Sequence, residues 1–460
     1  MPLFAPETEW VAPEELKDLS GAKEVAIDLE TNDPELTTLG SGNVIGRGHI
    51  AGVAVAVEGW KGYYPIGHEG GGNMDRKLVL QWVQDLVNQE KTTFIFHNAM
   101  YDVCWLRQAG IKIRGKIVDT MIAASLIDEN RMSYALNTLA KHYVGLGKDE
   151  KVLQEAAKSY SINPKAEMYK LPAMYVGEYA ERDAEATLKL WQRLSTELVN
   201  QELMDVFNLE TKLFPCLVDM RFKGVRVDLE HAANLKKNLI TRENKILSKI
   251  KELTGIHVEI HAARSIAKAF DKLNLPYDRT EKSNEPSFTK NFLQNHPHEL
   301  ARSIADAREI NKAHTTFIDS ITKHSAKGRI HADINQIRSD QGGTVTGRFS
   351  MSNPNLQQIP ARHPEIGPMI RSIFIPEEKT VWGSFDYSQQ EPRILVHYAK
   401  LQNLDGVDEI VNAYNDGDAD FHQVVADMAG IERKQAKTIN LGLMYGMGKN
   451  KLMSELGLMK

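Results

Sequence analysis

The stretch "AIDLETND", residues 26–33, decides how this chain is read. Val25, Ala26, Ile27 and Leu29 have the apolar character of a buried strand, yet the strand ends with Asp28 and Glu30 one residue apart. On a strand, residues two apart point to the same face. The two carboxylates therefore project side by side, and like charges that close repel unless a cation sits between them. A solvated strand end is the plain alternative, and the rest of the chain has to decide.

Around that stretch, apolar runs alternate with helical patterns. "EVAIDLE" (24–30), "HIAGVAVAV" (49–57) and "TTFIFH" (92–97) are rich in β-branched residues and read as strands. "RKLVLQWVQDLV" (76–87) and "AMYDVCWLRQAG" (99–110) read as helices, the second closed by Gly110. This predicts an α/β domain with a central mixed sheet over residues 1–200. Long helical periodicity follows from about 200 to 260, broken by "FKGVRVD" (222–228), and Pro276, Pro286 and Pro297 mark irregular connections. Strands are expected again in "GRIHADIN" (328–335) and "TVWGSFDYS" (380–388), and a helix from about 431.

The 460 residues exceed one ordinary domain. Cys104 and Cys216 lie far apart and without metal-ligand spacing, which suggests neither a disulfide framework nor a zinc site. The amino terminus has no secretory pattern and no stretch of about 18 apolar residues exists, so no membrane partner and a cytoplasmic location are expected. The net charge of −5 hides an asymmetry. Residues 1–200 carry 21 Lys and Arg against 28 Asp and Glu, whereas residues 231–330 carry 18 against 11. An acidic first part joined to a basic middle points to metal chemistry at one end and a polyanion held by the other.

Two-metal phosphodiester chemistry needs about four carboxylates converging on paired cations. Asp28 and Glu30 supply two; "HNAMYD" (97–102) places Asp102 in the first turn of a helix, and "YAERDAEAT" (179–187) puts Tyr179 and Asp183 one turn apart on one helical face. A tyrosine hydroxyl beside a metal-bound carboxylate can orient a water. His97 and Asn98 are read as capping and packing the helix after them, Asp119 as the cap of the next, and the glycines of "GHEGGGNMD" (67–75) as a surface loop.

The ordered set "DLET", "HNAMYD" and "YAERD" resembles the three motifs of the proofreading 3′→5′ exonucleases, which have a ribonuclease H-like fold. The resemblance covers residues 20–195. It implies that Asp28, Glu30, Asp102 and Asp183 bind two divalent cations, with Tyr179 assisting the attacking water; oxygen ligands favour Mg²⁺ or Mn²⁺.

A second ordered set follows in "TGRFSMSNPNLQQIP" (346–360), "SFDYSQQEPRILVHYA" (384–399) and "RKQAKTINLGLMYG" (433–446). Asp386 is expected to end an apolar strand. Arg433, Lys437, Leu441 and Tyr445 recur every four residues and share a helix face, where cations and an aromatic could hold a triphosphate and stack on a base. Together these motifs resemble family-A (Pol I-like) DNA polymerases of the phage type over residues 205–450. The resemblance implies an α+β polymerase part after the exonuclease domain: palm start and thumb over 201–330, the palm with Asp386 over 331–400, and partial fingers over 401–460. It assigns Arg348 to the minor groove near the primer end, Asp386 and the Tyr387 carbonyl to two further metals, and Glu391 to the exclusion of a ribose 2′-hydroxyl. His422 would reach the β-phosphate, Arg433 and Lys437 the incoming triphosphate, and Tyr445 would close over the new pair. Its substrates would be primer–template DNA, a single-stranded 3′ end and deoxynucleoside triphosphates.

There are two departures from that pattern. Leu441 stands where the family has Phe or Tyr, and no His-Asp-Glu motif carrying a second polymerase aspartate is found. The expectation drawn from the second departure is an amino-terminal portion, a split gene product or a truncated reading frame, that digests primers and needs a second polypeptide to extend them. The alternative reading is a stand-alone 3′→5′ exonuclease with a DNA-binding polymerase remnant.

Overall fold

The computed structural model describes residues 6–147, 150–361, 363–417 and 420–455. They gather into two compact units, Met1–Glu378 and Lys379–Lys460. The division falls inside the segment expected to form the palm.

The first unit is built on a five-stranded sheet. Its strands are β1 (Glu24–Asn32), β2 (His49–Val57), β3 (Trp60–Pro65), β4 (Thr93–Phe96) and β5 (Lys116–Asp119), in the order β3-β2-β1-β4-β5. β1 runs antiparallel to β2 and parallel to β4, and β4 is parallel to β5, so the sheet is mixed as predicted. Val25, Ile27 and Leu29 point into a core with α1 (Arg76–Val87) and α2 (Ala99–Gln108). Ala26 and its same-face neighbours point into another core, against α3 (Thr120–Ile127) and the long α4 (Gly177–Asn200). The unbroken apolar run of β2 follows, because a strand with helices on both sides has no solvent face.

The carboxyl ends of β1, β4 and β5 open on one edge of the sheet, where α2 and α3 begin. The turn from β4 into α2 passes through Asn98 in the left-handed region, at φ 64°. The expected cap is not Asn98, whose side chain makes no capping bond; Asp119 takes that task instead. Asp119 accepts the amides of Asn98 at 3.0 Å and Ala99 at 2.7 Å at the head of α2, and that of Met121 at 2.8 Å in α3. One buried carboxylate thereby fixes the start of both helices.

Helices follow as the periodicity predicts: α5 (Met204–Lys223), α6 (Leu229–Thr254) and α7 (Glu299–Lys312), the last two packed side by side. Between α6 and α7 a small core gathers around Phe270, Phe288 and Leu293. Strands return only as short ladders, among them β6 (Asp333–Asn335) with β7 (Ser350–Ser352). In the second unit, α8 (Gln390–Leu401), α9 (Phe421–Ala429) and α10 (Arg433–Met444) are the main helices. The strand expected in "TVWGSFDYS" is not formed. A strand exists as one side of a hydrogen-bonded ladder, and no described strand pairs with residues 381–385.

Candidate functional site

The five residues singled out in the first half come together at the carboxyl edge of the sheet. Asp28 and Glu30 are half-buried on one face of β1, opposite Ala54 and Gly52 of β2, and the register slips by a bulge just after Glu30. Bulges concentrate beside active sites, where they re-aim side chains. Asp102, in the first turn of α2, accepts the Leu29 amide at 3.1 Å, so it is bound to the strand between the two acids. Burial holds the Asp102 carboxyl well above the usual carboxylate range, and the charge of Asp28 raises it further. From the other side α4 brings Tyr179 and a buried Asp183, joined by a hydrogen bond across one helical turn. Burial raises the Tyr179 hydroxyl, followed by the charges of Glu30, Asp183 and Asp28.

Among the described residues no three His, Cys, Asp or Glu side chains lie close enough to hold one ion as they stand. The chemistry of the donor set nevertheless fits a hard divalent cation. All four side chains offer anionic oxygen, and a cation would offset both the burial that raises Asp102 and its repulsion from Asp28.

Sequence reasoning missed a second layer beneath this site. Tyr63 and His68 are 0% and 3% exposed, and the Tyr63 hydroxyl lies 2.6 Å from His68 Nε2. The two residues are only five apart, but their place beneath the β1 acids depends on the strand register, which no local pattern reveals. Arg221 is also buried; its guanidinium pairs with Asp333 at 2.5 Å and reaches Cys104 Sγ at 3.7 Å, tying α5 to β6 and α2.

The basic middle segment is less available to a polyanion than its composition suggests. Lys236, Arg242, Lys249, Arg264, Lys290 and Arg329 all form ion pairs with carboxylates of the chain, and Arg308 donates to the carbonyls of Ile260 and Phe288. Lys237 and Lys245 of α6 remain exposed. Arg348 is exposed in the loop before β7.

The second unit assembles only part of the expected set. Asp386 and Tyr387 lie in an exposed irregular segment, so the expectation that Asp386 ends a strand is corrected: no partner strand among the described residues supports it. Tyr445, just past α10, donates its hydroxyl to Glu391 of α8. Arg433 reaches Asp420 at 2.6 Å, Lys437 is exposed and Leu441 half-buried. His422 departs from expectation. It is 2% exposed and bonds Asn440 of α10 at 3.1 Å, because the face of α9 that carries His422 and Ala426 turns inward with Ala436 and Ile439.

A carboxylate-rich sheet edge of this kind, followed by long paired helices, is compatible with a nuclease-like domain joined to a second one. Comparison with known proteins makes the class specific. The 3′-5′ exonuclease family matches residues 7–199, and the family described as DNA polymerase family A matches residues 229–460. The DNA-directed DNA polymerase of Pseudomonas phage M6 is 38% identical, over 99% of this chain and 72% of its own length. DNA polymerase I of Pseudomonas aeruginosa is 28% identical, over 96% of this chain and 48% of its own length. The POL domain of Pol1 from M. smegmatis, solved in complex with DNA primer-template and dNTP, shares the fold at a TM-score of 0.71 and 19% identity, covering 95% of this chain and 70% of that one. The chain belongs to DNA polymerase family A and carries a 3′-5′ exonuclease domain ahead of its polymerase domain.

No helix among the described residues is long and apolar enough to cross a membrane.

Proposed function

We propose that the carboxylate edge of the first unit removes nucleotides from a single-stranded 3′ DNA end, as the editing site of a phage replicative polymerase acting in the host cytoplasm. The observation that carries this reading is the meeting of Asp28, Glu30, Asp102 and Asp183 with Tyr179 at one sheet edge. Asp28, Glu30, Asp102 and Asp183 would hold two Mg²⁺ or Mn²⁺ ions. Bound there, the ions lower the pKa of a water and neutralise charge on the leaving 3′-oxygen. The protein's own part is to position and to exclude. The Leu29 amide holds Asp102 in place, and the α4 turn fixes Tyr179 against Asp183, where its hydroxyl can orient a water toward the phosphorus.

The polymerase part, residues 201–460, would handle primer–template and deoxynucleoside triphosphates, with two further metals at Asp386 and the Tyr387 carbonyl. Arg433 and Lys437 would grip the triphosphate, with Leu441 and Tyr445 beside the base pair, Glu391 against the sugar, and Arg348 at the primer end. The organisation into exonuclease, thumb, palm and fingers at 200, 330 and 400 belongs to the same proposal.

Digestion of a 5′-labelled single-stranded oligonucleotide tests the editing site. Wild type should shorten it from the 3′ end with Mg²⁺ or Mn²⁺, and stop when the metal is chelated. Asp28→Ala with Glu30→Ala should slow digestion by orders of magnitude while circular dichroism stays unchanged. Digestion at the wild-type rate by that variant would overturn the assignment.

A further inference from the structure

The Tyr63–His68 pair lies under the two β1 carboxylates, and the register shows how closely. Asp28, Ala54 and Tyr63 share one rung across β1, β2 and β3, so all three project from one face of the sheet. Glu30 and Gly52 share a neighbouring rung on that face. A Cβ placed on Gly52 would stand 2.0 Å from the Tyr63 hydroxyl oxygen. The phenol therefore occupies the space where the side chain opposite Glu30 would have been. Directly opposed positions on a sheet have Cβ atoms about 5 Å apart. A hydroxyl in that place lies within reach of the Glu30 carboxylate.

Its proton, however, is directed elsewhere. His68 Nδ1 lies 3.0 Å from the Leu171 carbonyl, which can only accept, so Nδ1 carries the hydrogen. Nε2 is then the ring's acceptor, and the Tyr63 hydroxyl donates to it at 2.6 Å. Burial keeps the imidazole neutral, with its pKa pushed down to about 4. The His68 backbone is itself clamped, its amide and carbonyl both bonded to the Asn73 side chain, at 2.8 and 2.7 Å.

We propose that His68 acts as a proton keeper for Tyr63, and is thereby a positioning residue for the metal-binding carboxylates of the exonuclease site. With its hydrogen given to His68, the phenol offers Glu30 only lone pairs and does not compete with the ions for the carboxylate. A Tyr63 hydroxyl released from His68 would rotate and donate to Glu30. A charge-assisted O–H···O⁻ bond is short and strong, and it would draw the carboxylate off the ions. His68 thus favours metal occupancy by preventing a competing hydrogen bond, without touching substrate or metal. The inference rests on the exonuclease reading above.

The test is a set of four full-length variants, with Mn²⁺ binding measured by electron paramagnetic resonance in the absence of DNA, and digestion rate measured against Mn²⁺. His68→Phe removes the acceptor and should raise the Mn²⁺ concentration for half-saturation about tenfold, the lower range for loss of an outer-shell partner. The Michaelis constant for the oligonucleotide should not move. Tyr63→Phe alone should stay within about threefold of wild type. Tyr63→Phe with His68→Phe should return toward wild type, because no hydroxyl remains to capture Glu30. His68→Gln keeps an acceptor oxygen and should behave as wild type; should His68→Phe not fold, His68→Leu makes the same test. A double variant as weak as His68→Phe would mean mere packing and overturn the inference, as would a His68→Phe protein that binds Mn²⁺ normally. If wild type neither binds Mn²⁺ nor digests DNA, the exonuclease reading falls first and this inference with it.

Discussion

Asp119 offers the sharpest test of how the exonuclease edge is held together, because one side chain serves two helices. Truncation by Asp119→Ala leaves the Asn98, Ala99 and Met121 amides without their acceptor in a site only 6% exposed. An unsatisfied buried donor costs about 1–3 kcal/mol. Partial rescue by water in the vacated space brings three of them to about 3–6 kcal/mol, a large share of the 5–15 kcal/mol that stabilises an ordinary domain. Asp119→Asn is milder. It keeps one oxygen acceptor but turns an amino group toward a backbone donor, a loss of about 1–3 kcal/mol.

The pH dependence separates the charge from the hydrogen bonds. Burial pushes the Asp119 carboxyl up from 3.8 to about 6, outweighing the amides that favour the ionised form. The folded state therefore binds the proton more tightly than the unfolded one. Stability from this group is fully present below the unfolded value, near pH 4, and is lost as pH rises through about 6. At about 1.4 kcal/mol for each tenfold in proton affinity, the loss amounts to about 3 kcal/mol. Asn cannot ionise, so the gap between wild type and Asp119→Asn should narrow by up to about 3 kcal/mol from pH 4 to pH 7 and then stay flat. Urea unfolding at a series of pH values, read by hydrogen exchange of the peptide over residues 97–102, measures it locally. A gap that stays constant from pH 4 to pH 7 would refute the charge argument. Native protection of the Asn98 and Ala99 amides in Asp119→Ala would refute the capping argument.

Other expectations follow from the same contacts. Binding to primer–template should weaken as salt rises, with a log–log slope of about −3 to −5, shallower than a surplus of basic residues would suggest because six of them already pair with carboxylates. Fluorescence anisotropy across a salt series checks it, and a slope near zero would contradict a phosphate-gripping role. Gly177→Ala should lower the melting temperature and the digestion rate together, since its Cβ would stand 2.0 Å from the Trp10 ring that packs over the start of α4. Adding Trp10→Ala should make the two effects strongly non-additive in a double-mutant cycle. Arg433→Ala and Lys437→Ala should each weaken binding of a fluorescent deoxynucleoside triphosphate by about tenfold, with the exonuclease rate unchanged; unaltered binding would remove both residues from the triphosphate site.

What could be read without coordinates follows from how local each cause is. Asp28 and Glu30 share a face through the two-residue period of a strand, and Tyr179 and Asp183 through the helical turn, so spacing alone paired each set correctly. Asp102 belonged with them because a strand and a tight turn place the first turn of α2 at the sheet edge. The features that escaped are those whose partner is distant in the chain. Asp119 was legible as the cap of α3, but its hold on α2 needs the β4–β5 register and the left-handed turn at Asn98. Two of the six ion pairs that engage the basic segment reach Glu365 and Glu377, acids in another part of the chain, so a local charge count overstates the free positive surface. "TVWGSF" has the composition of a strand, yet composition expresses only a readiness to pair, and among the described residues no strand pairs with it. His422 differs for another reason: no helix was read around it, and which face of α9 turns inward depends on α10, where Asn440 bonds the buried imidazole. In this chain, then, carboxylates carried on single elements can be paired from their spacing, whereas the groups that hold them in place become visible only once the strands are in register.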